Sequence, residues 1–352
     1  MKSYRVVSYG APLVCEEMTQ PVPQGTEVVL EVRAAGVCHT DIHVCDGGYN
    51  LGGGKFMSMA DRGAKLPHTP GHETVGRLVA AGPDVTGVES GKSYLIYPWI
   101  GCGTCANCED GREPVCTGAT RFLGVFRDGG YSSHIVVPHP KYLLDIGMLH
   151  PVEAAPLACA GLTAFSAIKK LGSTIRKAPI LIIGGGGLGL MCLSMLKALG
   201  ANGALVADID PGKRNTCIQA GAIGAVDPRA PDASARIAAL LDQPPMAVID
   251  FVGAPDTVKL AIDSVAKGGT CIIIGLVGGE VTLAIPPIPL RSITLMGSFV
   301  GTLSELRELV ALAKSGKLPR IPIDERPLGR ANDLLEDLRS GRVIGRGVLV
   351  SQ

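Results

Sequence analysis

Two patterns of apolar and polar positions divide the chain. Up to about residue 153, apolar residues come in short runs broken by glycine and proline, such as Glu27-Val28-Val29-Leu30-Glu31-Val32 and Ser93-Tyr94-Leu95-Ile96-Tyr97. Runs of this length bounded by turn formers predict short antiparallel strands and a β-rich region. Beyond Glu153, helical stretches such as Ala160–Lys170 and Leu188–Leu199 alternate with short β runs. The runs are Pro179–Ile183, Ala204–Asp208, Gly224–Asp227, Ala247–Phe251, Thr270–Gly275 and Ile293–Gly297. Strand and helix alternating at this spacing predict an α/β fold with a doubly wound parallel sheet. Two amphipathic helices follow, Ser304–Ser315 and Gly329–Ser340, and the strand-like Gly347-Val348-Leu349-Val350 closes the chain. Asn50–Leu66, which carries Gly52-Gly53-Gly54, reads as a loop or irregular insertion, and Pro286-Pro287-Ile288-Pro289 as a rigid, extended connector.

The 352 residues are 46% hydrophobic, which supplies a sizeable core and argues against disorder. The length predicts two domains, or one with a large insertion. With 33 basic and 32 acidic residues and 4% aromatics, the chain offers neither the charge nor the stacking surface of a nucleic-acid binder. The opening Met1-Lys2-Ser3-Tyr4-Arg5 turns polar too soon for a signal peptide. Ala178–Leu196 is apolar enough to be flagged as a membrane span, but Gly184 to Gly187 lie in its middle. A buried strand, tight turn and buried helix fit it better, and no membrane partner is expected. Eleven cysteines without an export signal point to a reducing, cytoplasmic setting. There they serve as metal ligands, catalytic groups or small core residues.

Three motifs carry chemistry. Cys102-x2-Cys105-x2-Cys108-x7-Cys116 packs four thiols into one polar loop, with Gly101, Gly103, Ala106 and Gly111 letting the backbone wrap an ion. This is the donor set of a closed, structural zinc site. An iron–sulfur cluster uses the same donors, but nothing else in the chain suggests electron transfer. Gly184-x-Gly186-x-x-Gly189, with Gly187 and Leu188 inside it, joins a predicted strand to a predicted helix, and Asp208 ends the next strand. Together they form a dinucleotide fingerprint: the glycines bring backbone close to a pyrophosphate at a helix N-terminus. Asp208 would bind the ribose hydroxyls and repel a 2′-phosphate, favouring NAD over NADP; the alternative is a packing turn. The third constellation is Cys38-His39-Thr40-Asp41-Ile42-His43 with His72-Glu73 and Cys159. Two thiols and an imidazole suit a zinc site with an open position, but these residues are too far apart in sequence for spacing to join them. Alone, Cys159 is more often a small core residue and His72 more often a satisfied loop histidine.

Taken together, the chain resembles the zinc-dependent alcohol dehydrogenases of the medium-chain dehydrogenase/reductase superfamily. Four motifs in register carry the likeness: Gly36-Val37-Cys38-His39-Thr40-Asp41, Gly71-His72-Glu73-x-x-Gly76, the four-cysteine loop, and the glycine turn with Asp208. The resemblance implies a GroES-like β-rich catalytic domain over 1–160 and 300–352, and a Rossmann domain over 161–299. It implies two zinc ions per chain, with Cys38, His72 and Cys159 holding the catalytic one. Glu73 would be a carboxylate able to ligate that metal transiently, and Asp41 would orient His72. Thr40 and His43 would relay the proton. His39 and Arg346 would meet the cofactor pyrophosphate, Thr163 the nicotinamide and Lys213 the adenosine ribose. Trp99 and Tyr49 would line the substrate pocket, although Trp99 reads equally as core packing.

The implied reaction is reversible hydride transfer between an alcohol and NAD, giving an aldehyde or ketone, in a homo-tetramer or homo-dimer. The apolar Thr270–Pro289 segment is a candidate for the subunit contact. A polyol, amino-alcohol or aryl-alcohol substrate is the nearest alternative. A zinc-free reductase is disfavoured by Cys38, His72 and Cys159 occurring together. A non-catalytic zinc-loop protein is disfavoured by Glu109, Asp110 and Glu113, which outweigh Arg112 in the loop. Two departures stand out: the stretch from His43 to Gly71 is longer than in the simplest relatives, and Gly91-Lys92 replaces the usual Gly-Asp of a surface turn.

Overall fold

The computed structural model describes residues 1–351 and contains two large sheets. One is six-stranded and wholly parallel, in the order Gly224–Val226, Ala204–Ala207, Ile180–Ile183, Ala247–Asp250, Thr270–Ile273, Thr294–Gly297. Each of the six predicted β runs supplies one of these strands. Their continuous apolar character has a simple cause: helices cover both faces of a parallel sheet, so both sets of alternating side chains are buried. In the central strand Ile180 and Ile182 join the core shared with the helices Ala160–Leu171 and Gly187–Ala198. Leu181 and Ile183 join a second core with Ile237, Ala261 and Ile262, from the helices Ala233–Leu240 and Pro255–Ser264.

The other sheet is antiparallel apart from one edge pair, and both ends of the chain build it. Its order is Ile323–Pro327, Arg346–Val350, Val28–Val37, Glu73–Ala81, Ser93–Ile96, Leu143–Asp145, with His134–Val137 also pairing to Val28–Val37. The C-terminal strand lies antiparallel to Val28–Val37, with Gly347 opposite Val37. That register carries Arg346 to the end of the strand from which Cys38 emerges. The predicted helices Ser304–Ser315 and Gly329–Ser340 form as Leu303–Lys314 and Ala331–Arg339. Thr302 caps the first of these, accepting from Glu305 N at 3.2 Å.

Two local expectations are corrected. The predicted irregular insertion contains a β-hairpin, Gly48–Gly52 paired with Lys55–Ser58. Gly52, Gly53 and Gly54 make its turn at φ of +83°, +54° and +75°, values that side chains rarely adopt. The three-proline connector is not extended: Pro287–Leu290 forms one helical turn. Prolines are tolerated there because the first-turn N–H groups have no helical partner to lose. Ala178–Leu196 divides into strand, turn and helix, and among the described residues no single helix is long and apolar enough to cross a membrane.

The hairpin reaches the parallel sheet. Gly279 N donates to Asn50 O at 3.4 Å, and a Cβ placed on Gly52 would lie 2.4 Å from Glu280 Cγ and 2.8 Å from Glu280 N. The receiving loop is itself tied down, since Gly278 N donates to Gly253 O at 3.1 Å. Gly52→Val therefore meets backbone as well as an unfavourable φ. A loss of about 1–3 kcal/mol is expected. Thermal denaturation would measure it, and hydrogen exchange would show lost protection over residues 48–58.

Candidate metal and cofactor site

The four-cysteine loop gathers its sulfurs into one cluster. Cys105 and Cys108 are 3.5 Å apart, Cys105 and Cys116 3.8 Å, and Cys102 and Cys108 3.9 Å. A tetrahedron with metal–sulfur arms of ~2.3 Å has edges of about 3.8 Å, so the sulfurs are spaced as zinc requires. Backbone N–H groups point at them: Cys102 N donates to Cys116 Sγ at 3.2 Å and Thr104 N to Cys102 Sγ at 3.4 Å. Hydrogen bonds from Thr117 and Cys108 hold the Cys105 thiol down at about 5, which favours the thiolate that a metal binds. Arg121 braces the loop, donating to Gly101 O at 3.0 Å.

The second cluster is assembled from three distant segments. Cys38 ends the strand Val28–Val37 and caps the helix His39–Asp46. His72 directly precedes the strand Glu73–Ala81, and Cys159 sits in the kink between the 3-10 turn Ala155–Ala158 and the helix Ala160–Leu171. The donor atoms of Cys38, His72, Glu73 and Cys159 lie within 4.8 Å of one another, and all four residues are buried. His72 Nδ1 lies 3.0 Å from Asp41 Oδ1. A carboxylate only accepts, so Nδ1 carries a proton, and on the neutral ring Nε2 presents its lone pair. That Nε2 is buried without any hydrogen-bond partner. An unmet buried acceptor costs about 1–3 kcal/mol, and a cation ligated there would meet it. Two thiols and one imidazole are a zinc donor set, and three protein ligands leave a position open. The Cys159 thiol and then His72 hold the Cys38 thiol well below its usual range, so the pocket favours a thiolate.

Glu73 is also a bridge. Its Oε1 accepts from Ala160 N at 3.0 Å, and its Oε2 pairs with Arg346. Burial pushes the Glu73 carboxyl up to about 7, with Arg346 opposing the shift. Arg346 in turn abuts the glycine turn: a Cβ on Gly187 would lie 2.4 Å from Arg346 Cδ. The buried Arg346 Nε has no partner. An unpaired guanidinium N–H beside a helix N-terminus is a receptor for phosphate.

The turn itself needs its glycines. Gly184 has φ +97°, and a Cβ on Gly189 would lie 2.0 Å from Gly184 O. Gly186 caps the helix that Gly187, Leu188 and Gly189 begin. Asp208 shapes this turn as well as facing it, accepting from Gly185 N at 2.6 Å and Asp210 N at 2.8 Å. Lys213 lies in the first turn of Pro211–Gln219, held by Asp210, which accepts from Lys213 N at 2.9 Å. Thr163 is buried one turn beyond Cys159, to whose carbonyl its N–H donates at 2.8 Å.

His39, Thr40 and His43 share the short helix that begins at Cys38, with His39 exposed and the other two half-buried. The His43 ring packs on Tyr49, with centroids 4.5 Å apart. Burial, and then the neighbouring His39, lower the His43 pKa, while burial pushes the Tyr49 phenol up to about 12. Trp99 lies in the core, its indole N–H donating to Ala158 O at 3.0 Å and its ring 5.3 Å from that of His72. The Trp99 ring thus packs against that of His72. Phe299, 44% exposed and edge-on to Trp99, carries that aromatic cluster to the surface.

Sequence reasoning missed Phe299 and Tyr131. Tyr131 donates to Asp41 Oδ2 at 3.1 Å. No spacing rule finds it, because its link to the site exists only in three dimensions.

The chain matches two family models, one described as an alcohol dehydrogenase GroES-like domain over residues 24–147 and one as a zinc-binding dehydrogenase over residues 187–315. It is 33% identical to an NAD-dependent alcohol dehydrogenase of Saccharolobus solfataricus, covering 99% of this chain and 100% of that one. A D-arabinose 1-dehydrogenase (NADP(+)) of the same organism is 32% identical, over 99% and 97%. Among solved structures, the alcohol dehydrogenase of Aeropyrum pernix superposes with a TM-score of 0.90 at 32% identity, over 99% of this chain and 100% of that one.

Elemental analysis of the purified protein is expected to give about two zinc ions per chain. His72→Asn should retain one. Cys105→Ser should also retain one and, by loosening the braced loop, lower the thermal midpoint. Retention of both ions by either variant would contradict the assignment of its site.

Proposed function

The chain belongs to the zinc-binding alcohol dehydrogenases of the medium-chain dehydrogenase/reductase superfamily, and from that premise we propose that the cluster of Cys38, His72 and Cys159 is its catalytic centre. The enzyme is an NAD-dependent alcohol dehydrogenase that converts an alcohol reversibly to an aldehyde or ketone. One observation carries the assignment: the unpartnered His72 Nε2 lies in a buried cluster with two thiols, and Glu73 and Arg346 link that cluster to the glycine turn. When bound, zinc polarises the substrate oxygen and the nicotinamide exchanges hydride with the substrate carbon.

The remaining chemistry falls to side chains of this chain. Cys38, His72 and Cys159 hold the metal, and Asp41 keeps the proton of His72 on Nδ1. Thr40 relays the substrate hydroxyl proton, accepting it as its own hydroxyl proton leaves, and His43 takes the departing proton outward. Burial makes His43 a weaker base than a free imidazole, which leaves it neutral and able to accept at pH 7. Gly184, Gly186, Gly187, Leu188 and Gly189 take the pyrophosphate on backbone, with Arg346 and His39 beside it. Asp208 and Lys213 take the adenosine ribose, and Thr163 the nicotinamide. Glu73 would offer the metal a further donor if Arg346 released its Oε2. Tyr49 walls the substrate side of His43.

The domain division that suits these roles is 1–160 with 300–352 for catalysis and 161–299 for the cofactor. Leu276, Val277, Ile285, Leu290 and Leu295 are exposed on the edge strand Thr294–Gly297 and the segment before it. An apolar edge of this kind needs cover, which a second subunit supplies. A homo-tetramer or homo-dimer in the cytoplasm is the corresponding assembly and place.

Spectrophotometric screening of primary, secondary, aryl and polyol substrates is expected to show turnover with NAD exceeding that with NADP. Absence of turnover with every class, in protein holding two zinc ions, would overturn the reading. His43→Gln should slow alcohol oxidation roughly 10- to 100-fold near neutral pH. Because the His43 pKa is lowered, the wild type should keep its rate until the pH falls below the usual imidazole range. The gap to the variant should narrow at high pH, where hydroxide takes the proton directly. A pH-independent ratio would remove His43 from the relay.

A further inference from the structure

We propose that Tyr131 is a positioning residue for the catalytic metal, fixing the Asp41 carboxylate and through it the ring of His72. This rests on the metal-centre reading above.

The argument starts from the lone pairs of Asp41, which is fully buried. A carboxylate offers about four acceptor positions. Oδ1 accepts from His72 Nδ1 at 3.0 Å and Gly71 N at 3.1 Å, and Oδ2 accepts from Cys38 N at 2.9 Å and Tyr131 Oη at 3.1 Å. All four positions are filled. Three of the donors belong to Cys38, to His72 or to the residue beside it, so the ligand loops themselves supply them. Tyr131 is the one donor from a segment that holds no ligand.

Tyr131 has little freedom to do anything else. Its N–H donates to Pro70 O at 3.0 Å, and its carbonyl accepts from Tyr4 N at 2.8 Å. Its ring lies over Gly71, where a Cβ would come within 2.5 Å of Tyr131 Cδ1. Gly71 has φ +98°, and Gly130 N donates to Gly71 O at 2.7 Å. The segment 129–131 and the turn before His72 are thus locked together, with the phenol aimed at Oδ2. Burial, and then the Asp41 charge, push the Tyr131 phenol well above its usual range, so the hydroxyl stays a donor.

Removing that one hydrogen leaves a buried carboxylate oxygen short of a partner while the tyrosine ring stays in place. The carboxylate is then free to rotate toward a new partner, and rotation misaligns Oδ1 from His72 Nδ1. The ring of His72 loses its fixed direction, and the metal loses a ligand sooner. Outer partners of metal-bound histidines typically matter 10- to 100-fold in affinity. Tyr131 stands one bond further out, so the low end of that range is expected.

The test uses the two sites of one chain against each other. Full-length wild type and Tyr131→Phe, each loaded with zinc, are challenged with a chromogenic chelator, and the release of each zinc is timed. His72→Asn identifies which phase belongs to which site. In Tyr131→Phe the catalytic zinc should leave roughly 10-fold faster, with the rate from the four-cysteine loop unchanged. Cobalt placed in the catalytic site should show shifted visible bands in the variant, because a turned imidazole changes the ligand field. Equal rates and identical bands would overturn the proposal, as would both zinc ions leaving faster together, which marks a general loss of packing. If the wild type itself releases a single zinc, the metal-centre reading fails instead.

Discussion

The site depends on one hydrogen bond, from His72 Nδ1 to Asp41 Oδ1 at 3.0 Å. It fixes which imidazole nitrogen carries the proton, and so leaves Nε2 bare and buried beside two thiols. The sequence brings Asp41 there through the helix that Cys38 begins, so one turn supplies both a thiol of the cluster and the carboxylate that orients His72. Gly71 must adopt a positive φ to deliver His72, and Asp41 accepts its N–H as well. The Cys38, Asp41 and Gly71–His72 segments therefore form a unit around one carboxylate. A buried charge of this kind is tolerable only because each of its lone pairs is met.

The second organising feature is the path from the metal cluster to the cofactor turn. Arg346 reaches it from the last strand, which pairs with Val28–Val37 and so starts at the level of Cys38. Glu73 follows His72 directly, and its Oε1 takes the N–H of Ala160, next to Cys159. The Glu73–Arg346 pair thus touches both ligand segments and, through Arg346, Gly187. A buried pair like this contributes little net stability. Its value lies in connection: the guanidinium that pairs with Glu73 also abuts Gly187. The hairpin at 48–58 makes a second connection. Tyr49 packs on His43, while the hairpin tip rests on residues 278–280 beyond the strand Thr270–Ile273.

The parallel sheet was legible because its strands are short apolar runs between helical stretches, a pattern that burial on both faces imposes. The four-cysteine loop was legible because all its ligands fall in one short segment. Cys38, His72 and Cys159 were not legible from spacing, since only the fold brings them together; the family resemblance supplied that grouping. The hairpin was hidden by its own turn, three glycines that a linear reading takes for an irregular loop. The three prolines at 286, 287 and 289 misled in the opposite sense, because proline is read as extended chain yet suits the first turn of a helix. Trp99 illustrates a different limit. Sequence places an aromatic near the site, but only the fold sets its ring against that of His72.

Asp208 shows how closely recognition and architecture are joined here. Its Oδ2 accepts from Gly185 N at 2.6 Å and its Oδ1 from Asp210 N at 2.8 Å. One carboxylate therefore sets the glycine turn, anchors the start of the next helix and presents negative charge where a ribose is expected. A chain evolving toward a 2′-phosphate could not simply discard it, because losing the carboxylate also releases Gly185, next to the glycine with φ +97°. A neutral residue in its place would have to meet the Gly185 and Asp210 N–H groups by other means. Replacing Asp208 therefore disturbs the backbone of the turn as well as the charge at its edge.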